Sequence, residues 1–261
     1  MCRHLAYLGP SVTLADCVLH HPHSLLVQSW APSEMRGGGT VNADGFGIGW
    51  LVGGPVGPGV ARRYRRERPM WSDACLPDLT ASVTSGAVLA AVRSATAGMA
   101  VSESACAPFV HGSAMFSHNG VISGWPESVA PLAASLPPVA LMTMDAPTDS
   151  AFLWALVRER LKNGQSGGTA LAGVVAQVLA LAPRSRLNLL LHDGQHITAT
   201  TVSHSLWVRQ GAGSITVSSE ALDPGDQRWQ AVPDLCLLVG SATDYSVQSL
   251  LDPVAAGPTT L

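Results

Sequence analysis

The chain has 261 residues, 47% of them hydrophobic and only 13% charged, which supplies one large core and argues against disorder along most of its length. Lys and Arg number 15 against 18 Asp and Glu, a net charge of -3, far from the basic balance that binding a phosphate backbone requires, so nucleic acid is not an expected partner. No run of about 20 apolar residues occurs, and the start, MCRHLAYLGP, lacks the basic and apolar regions of a secretion signal. No membrane association is expected, and the cytoplasm is the predicted compartment.

The first strand is expected at residues 4–8, and residues 24–29 read as the end of a helix or a short extended piece before the turn Ala31-Pro32. From Arg36 to Trp50, RGGGTVNADGFGIGW joins a glycine-rich loop to a strand over 45–52, where small residues alternate with Phe46, Ile48 and Trp50. Glycine at that density implies close backbone approach. A strand follows these glycines and no Walker lysine accompanies them, which excludes a phosphate loop. Arg62, Arg63, Arg65, Arg66 and Arg68 alternate with other residues and suit a solvated strand edge.

Residues 83–92 form an apolar run of strand length that leads into Arg93-Ser94-Ala95-Thr96. A second strand, 112–117, delivers His118-Asn119-Gly120, and Asn119-Gly120 predicts a tight turn. The small and polar stretch 97–110 is expected to join these two strands as an antiparallel pair. Residues 126–147 carry little regular signal. Asp149-Ser150 is the expected cap of a helix over 151–161 with Phe152, Leu153, Leu156, Val157 and Leu161 on one stripe, and a second helix is expected over 169–181. Strands return at 186–192, 197–202, 206–209, 215–218 and 235–239. Strands, two helices and strands again predict a layered α+β fold, with one domain over 2–250 and a flexible tail over 251–261.

The five cysteines, Cys2, Cys17, Cys75, Cys106 and Cys236, are odd in number and lack CxxC spacing, so neither a disulfide framework nor a zinc site is expected; no cofactor is predicted. Cys2 differs by position. Removal of the initiator methionine would leave it with a free α-amine, whose reference pKa of about 7.7 to 8.0 permits general-base action at neutral pH. Nucleophile and base would then come on one residue.

With that placement, MCRHLAYLG resembles the start of the class II glutamine amidotransferases, which are N-terminal-nucleophile hydrolases, and in particular their stand-alone branch. In VRSAT, Arg93 and Thr96 match the family's Arg-x-x-Thr, which clamps the substrate α-carboxylate; a guanidinium fork offers two parallel charge-assisted hydrogen bonds. In SHNGVI, His118, Asn119 and Gly120 match the His-Asn-Gly oxyanion hole, with the Asn119 amide and the Gly120 N–H as donors and His118 beside the substrate. In PTDSAF, Asp149 matches the residue that binds the α-ammonium. NADGFGIGW matches the loop beside the nucleophile, where Asn42, Asp44 and Gly45 are expected to be structural, and VSSEALDPGDQRW resembles a late strand and loop. The synthase-linked members carry a histidine directly after the motif threonine, whereas this chain has Ala97, so carboxylate recognition leans on Arg93 and Thr96. The resemblance implies an αββα sandwich of two mostly antiparallel sheets flanked by helices, and an amidohydrolase that forms a thioester on Cys2.

These elements all fall by residue 149, and the remainder is needed to finish the sandwich, so no acceptor domain for ammonia is expected. The expected partner is a small γ-glutamyl compound cleaved to free its amine, with self-association left open. MCRHLAYLGP, HSLLVQSWAP and MRGGGTVNADGFGIGW resemble an actinobacterial stand-alone branch whose leaving amine is a betaine of histidine, and Lys162 is the single lysine among 15 basic residues. The trimethylammonium would suit an aromatic face, for which Trp30, Phe116 and Trp50 are candidates. Hydrolysis of other γ-glutamyl peptides, glutathione or glutamine stays open on the same residues, as does a non-catalytic subunit that binds a γ-glutamyl compound. An autoprocessed penicillin-acylase-like hydrolase is disfavoured, because no propeptide precedes Cys2 and an Arg/Asp clamp is specific to glutamyl.

Overall fold

The computed structural model describes residues 2–35, 41–53, 59–96 and 98–251; the segment 36–40, Ala97 and the expected tail from 252 onward lie outside the described residues. In chain order the elements are β1 (Arg3–Thr13), α1 (Leu14–Val18), α2 (Leu25–Trp30), β2 (Phe46–Val52), β3 (Val60–Arg66), α3 (Leu76–Ser82), β4 (Thr84–Val92), β5 (Phe109–His111) and β6 (Ala114–Val121). They continue with α4 (Ala130–Ser135), α5 (Pro138–Met142), α6 (Asp149–Lys162), α7 (Gly167–Leu181), β7 (Arg186–His192), β8 (Ile197–Thr201), β9 (Trp207–Gly211), β10 (Ser214–Ser218), β11 (Gln230–Ala231), β12 (Cys236–Gly240) and β13 (Tyr245–Ser249).

One sheet has the order β11-β9-β10-β1-β4-β2-β3 and the other β13-β12-β8-β7-β6-β5, and the paired strands of both are antiparallel. Period-two alternation gives each strand two faces, and both faces are used. Leu5, Val88 and Ala90 turn toward α1, α2 and α3, whereas Ala6, Leu8 and Leu89 turn inward to meet Met115 and Leu190 of the second sheet. On that sheet's far face Phe116, Leu187 and Leu189 pack under α6 and α7, which contribute Phe152, Leu153, Leu171 and Val174. The order of layers is therefore helix, sheet, sheet, helix, as expected, with one apolar layer in each of the three gaps. Each fully buried side chain of this kind contributes about 1.5–3 kcal/mol through removal from water.

Local signals account for several boundaries. Ser24, Thr148 and Ser166 cap α2, α6 and α7 by accepting from the backbone N–H groups of Val27, Ala151 and Thr169. The cap of α6 is thus Thr148 and not Asp149-Ser150, because the Thr148 hydroxyl reaches the third N–H of the helix and leaves the Asp149 carboxylate to other partners. The region 126–147, expected to lack regular structure, holds α4 and α5, each opened by proline near its first turn.

Two further expectations are corrected. The stretch 97–110 does not join an antiparallel pair: β4 lies between β1 and β2 in one sheet and β6 between β5 and β7 in the other, so the chain crosses from sheet to sheet there. It crosses over the glycines of β2. A Cβ at Gly47 would fall 2.2 Å from the Ala107 carbonyl oxygen, which explains the small residues along that face. Nor is Asn119-Gly120 a turn. Both residues sit within β6, opposite Asn188 and Leu187 of β7. Gly120 is required by space, since a Cβ would meet the Arg186 oxygen at 1.9 Å and His118 Nε2 at 2.6 Å. The arginines of β3 do lie on a sheet edge, where Arg63 and Arg65 pair with Asp145 at 3.1 and 3.6 Å, and Arg66 with Glu103 at 3.2 Å.

Candidate active site

Two contacts between the sheets set the relative level of β1 and β6. His192 Nε2 donates to the Tyr7 carbonyl at 3.0 Å, and His192 pairs with Met115 in the β6–β7 register, so Tyr7 stands level with Met115. Toward the start of β1, His4 Nδ1 and the Ser117 hydroxyl lie 2.6 Å apart. The two strands run in opposite senses across the gap. One further step of two residues, which preserves the inward face, leads to Cys2 on one chain segment and to Asn119 on the other. The Cys2 thiol lies 3.7 Å from the Ser94 carbonyl oxygen, just past the end of β4.

Arg93 follows β4 directly. The backbone of Asp44 and Gly45 continues the ladder beside it: Asp44 N–H donates to the Arg93 oxygen at 3.0 Å and Arg93 N–H to the Gly45 oxygen at 2.7 Å. Asp44 Oδ2 accepts from Ala95 N–H at 2.7 Å and fixes the turn that leads to Thr96. Asn42 is likewise buried and hydrogen-bonds to the Gln28 oxygen. These bonds order the loop 41–45, in keeping with the structural role expected for Asn42, Asp44 and Gly45. The Arg93 side chain is 9% exposed; Nη2 donates to the Ala100 carbonyl at 3.0 Å, while Nη1 is buried without a partner. A buried guanidinium half satisfied is costly unless an anion completes it.

Asn119 is buried and its Oδ1 has no hydrogen-bond partner. Beyond Phe116, β6 has β7 on one edge and, among the described residues, no strand on the other, because its register with β5 covers only Ala114 to Phe116. Backbone donors on that open edge near Gly120 can serve a ligand. Asp149, 4% exposed, accepts Ile122 N–H on Oδ2 at 3.0 Å and Ser150 N–H on Oδ1 at 2.8 Å, so its carboxylate ties the start of α6 to the end of β6 and keeps further lone pairs free.

His118 shares the site in a different way from that expected. Its Nε2 donates to the Arg186 carbonyl at 3.0 Å, which makes Nδ1 the acceptor of the Ser150 hydroxyl at 3.0 Å. Both ring nitrogens are committed to the protein, and burial holds the pKa below its ordinary value against the opposing pull of Asp149. The imidazole is a neutral wall that locks β6, β7 and α6 together, with no nitrogen left for a substrate.

A cavity of about 30 Å³ is lined by Cys2, Arg93, Cys106, His118 and Ser150. A larger one, about 570 Å³, is lined by Thr96, Ala100, Val121, Ile122, Trp125 and Pro147 with their neighbours. Short links join residues of the two linings: Ala100 accepts from Arg93, Ile122 donates to Asp149, the neighbour of Ser150, and Asn119 and Gly120 connect His118 to Val121 along β6. Of the aromatic candidates, Phe116 is wholly buried and stacks on Trp154 at 5.4 Å in the helix-side core, and Trp50 packs into the opposite core, because their strand positions face away from the gap. Trp30, 41% exposed at the end of α2, lines neither cavity. The aromatic residue on the larger cavity is Trp125, which has no signal in the sequence because it lies in a segment without periodicity. Cys106 adds a second thiol to the smaller cavity, but burial pushes its pKa up to about 11, well outside the reactive range.

The Cys2 thiol and the half-satisfied Arg93 thus line one cavity together with Ser150, beside which Asp149 opens α6. The sequence profile described as "Glutamine amidotransferases class-II" matches residues 17–221, and the chain belongs to that family. Its relatives include the γ-glutamyl-hercynylcysteine sulfoxide hydrolase of Mycolicibacterium smegmatis, 39% identical over 90% of this chain and 93% of that protein. The enzyme of the same name from Mycobacterium tuberculosis is 36% identical over 90% of each. A class-II domain protein from Silicibacter pomeroyi has the same fold, with a TM-score of 0.67 and 22% identity over 96% of this chain and all 100% of that one. No helix among the described residues is long and apolar enough to cross a membrane.

Proposed function

We propose that the protein hydrolyses the γ-glutamyl amide of γ-glutamyl-hercynylcysteine sulfoxide, giving glutamate and hercynylcysteine sulfoxide, a step of ergothioneine biosynthesis. The observation that carries this reading is the buried, partnerless Nη1 of Arg93, a residue that lines the cavity of Cys2. It asks for a carboxylate, and the similarity to the two mycobacterial hydrolases over nine-tenths of the chain supports which γ-glutamyl compound brings it.

In the proposed course Met1 has been removed, and the Cys2 α-amine takes the thiol proton as sulfur attacks the γ-carbonyl. The oxyanion is stabilised by the Asn119 amide and the Gly120 N–H, a contribution of about 3–4 kcal/mol per donor in comparable sites. Collapse transfers the proton to the departing amine and leaves a thioester on Cys2, which water cleaves with the same amine as base. Arg93 and Thr96 hold the α-carboxylate and Asp149 the α-ammonium. No metal or other cofactor has a part in this course. The larger cavity, with Trp125 on its wall, takes the body of the substrate, where an aromatic face suits a trimethylammonium group. The five unpaired thiols accord with a reducing, cytoplasmic setting.

The test is glutamate release from the purified protein given γ-glutamyl-hercynylcysteine sulfoxide, glutamine or glutathione. The sulfoxide should be turned over with much the highest kcat/KM, and Cys2→Ala should abolish release. Equal rates on all three would sink the proposed substrate, and activity that survives Cys2→Ala would sink the mechanism.

A further inference from the structure

We infer that Arg3 is the positioning residue of the nucleophile, acting through the carbonyl of Cys2; the inference rests on the proposed role of Cys2. The β1–β4 register begins at Arg3 opposite Val92, so Cys2 lies beyond the last rung of the ladder. With Met1 removed, as the proposed course has it, Cys2 is tethered by one peptide bond only, and the contact of its side chain with the Ser94 oxygen at 3.7 Å is a weak one. Thiol and α-amine must nevertheless share one orientation if they are to act as nucleophile and base.

The Arg3 guanidinium supplies that restraint. Nη1 donates to the Cys2 carbonyl at 3.0 Å, Nε to Glu220 Oε1 at 2.8 Å and Nη2 to the Glu34 carbonyl at 2.7 Å, with the whole residue 1% exposed. Alternation along β1 places Arg3 on the face of Leu5, opposite that of Cys2 and His4, and it lines neither cavity. Its hydrogen bond toward the site is the one to the Cys2 carbonyl.

The anchor is itself held from several sides. Glu220, 2% exposed, also accepts from His23 Nε2 at 2.6 Å, Ser33 N–H at 2.7 Å and Glu34 N–H at 3.2 Å. Burial pushes its pKa up, but these donors and Arg3 together bring it down to about 2, so the carboxylate stays ionised. Glu34 in turn accepts from Trp207 Nε1 at 2.7 Å, which links the network to β9. A buried ion pair adds little stability over apolar packing of the same volume, whereas its fixed geometry can orient a third group.

Arg3→Gln, Arg3→Lys and Glu220→Gln, each in the full chain, test this on whichever γ-glutamyl amide the parent hydrolyses. With Arg93 and Asp149 untouched, Arg3→Gln should lower kcat tenfold or more and leave KM within twofold, and Arg3→Lys should recover part of the loss. Cys2 alkylation by iodoacetamide, followed by mass spectrometry, should slow in parallel. Parent-like kcat in folded Arg3→Gln, a loss confined to KM, or no recovery with lysine would overturn the role. If Arg3→Gln does not fold, Glu220→Gln, which keeps the shape of the network and loosens the guanidinium, should show the same split at smaller size; parent-like kcat there overturns it equally. If the parent cleaves no γ-glutamyl amide, the functional proposal fails, while the role of Arg3 is still tested by alkylation, where equal rates in parent and variant overturn it.

Discussion

Asn119→Ala separates catalysis from stability in this site. The side chain is 1% exposed and its Oδ1 already lacks a partner, so truncation strands no donor elsewhere among the described residues. The folded state loses only modest packing, and the melting temperature should stay within a few degrees of the parent. On the proposed course the transition state loses one of two oxyanion donors, a cost of about 2.7–4 kcal/mol, which corresponds to a fall in kcat of roughly 10²–10³. KM should change little, since Arg93 and Asp149 remain. Steady-state glutamate release with a parallel thermal melt provides both numbers. A kcat within threefold of the parent would refute the placement of Asn119 at the oxyanion, and a loss of rate matched by a melting temperature lower by ten degrees or more would make it a folding residue instead.

Other changes have distinct signatures. Arg93→Lys keeps a cation but not the fork, and should lower kcat/KM about 10- to 100-fold, mainly through KM, in the same assay; an unchanged KM would remove Arg93 from the carboxylate. Gly120→Ala drives a methyl group into the Arg186 carbonyl, so it should destabilise by about 3 kcal/mol or more and lower the melting temperature by roughly 6–12 °C. Burial lowers the His4 and His192 pKa values to about 3 and about 4, with nearby positive charge adding to the shift at His4. Well above pH 6.5 both rings are neutral whether the chain is folded or not, and they contribute no pH dependence there. As pH falls below 6.5 the unfolded chain takes up protons that the folded one refuses, so each ring costs up to about 2 kcal/mol by pH 5. Melting temperature should therefore drop between pH 7 and 5, and His192→Gln should flatten that drop; an equal slope in parent and variant counts against the buried neutral ring. Iodoacetamide at pH 8 should leave Cys17 and Cys106 unlabelled, because burial pushes their thiols up to about 12 and about 11.

Much of this molecule could be read along the chain. The strand expected at 186–192 coincides with β7, and the two predicted helices differ from α6 and α7 by one or two residues at most ends, because long periodic segments state their own buried face. Cys2, Arg93, Asn119, Gly120 and Asp149 could be proposed as site residues from motif order, since each motif is a short contiguous string. What the chain could not state was how distant strings meet. Asn119-Gly120 looks like a turn in isolation and is the middle of a strand, because β7 lies beside it and Arg186 leaves no room for a side chain. His118 looks like a ligand and is a brace, since its two partners come from residues 150 and 186. Arg3 enters the sequence reading only as part of the opening string, and its hold on Cys2 shows only when Glu220 arrives from 217 positions away. The residue types and their order determined the chemistry that this protein can attempt. The packing of two sheets decided which groups face the same gap, because partners and burial, and with them protonation and freedom to bind, belong to tertiary neighbours rather than to the sequence.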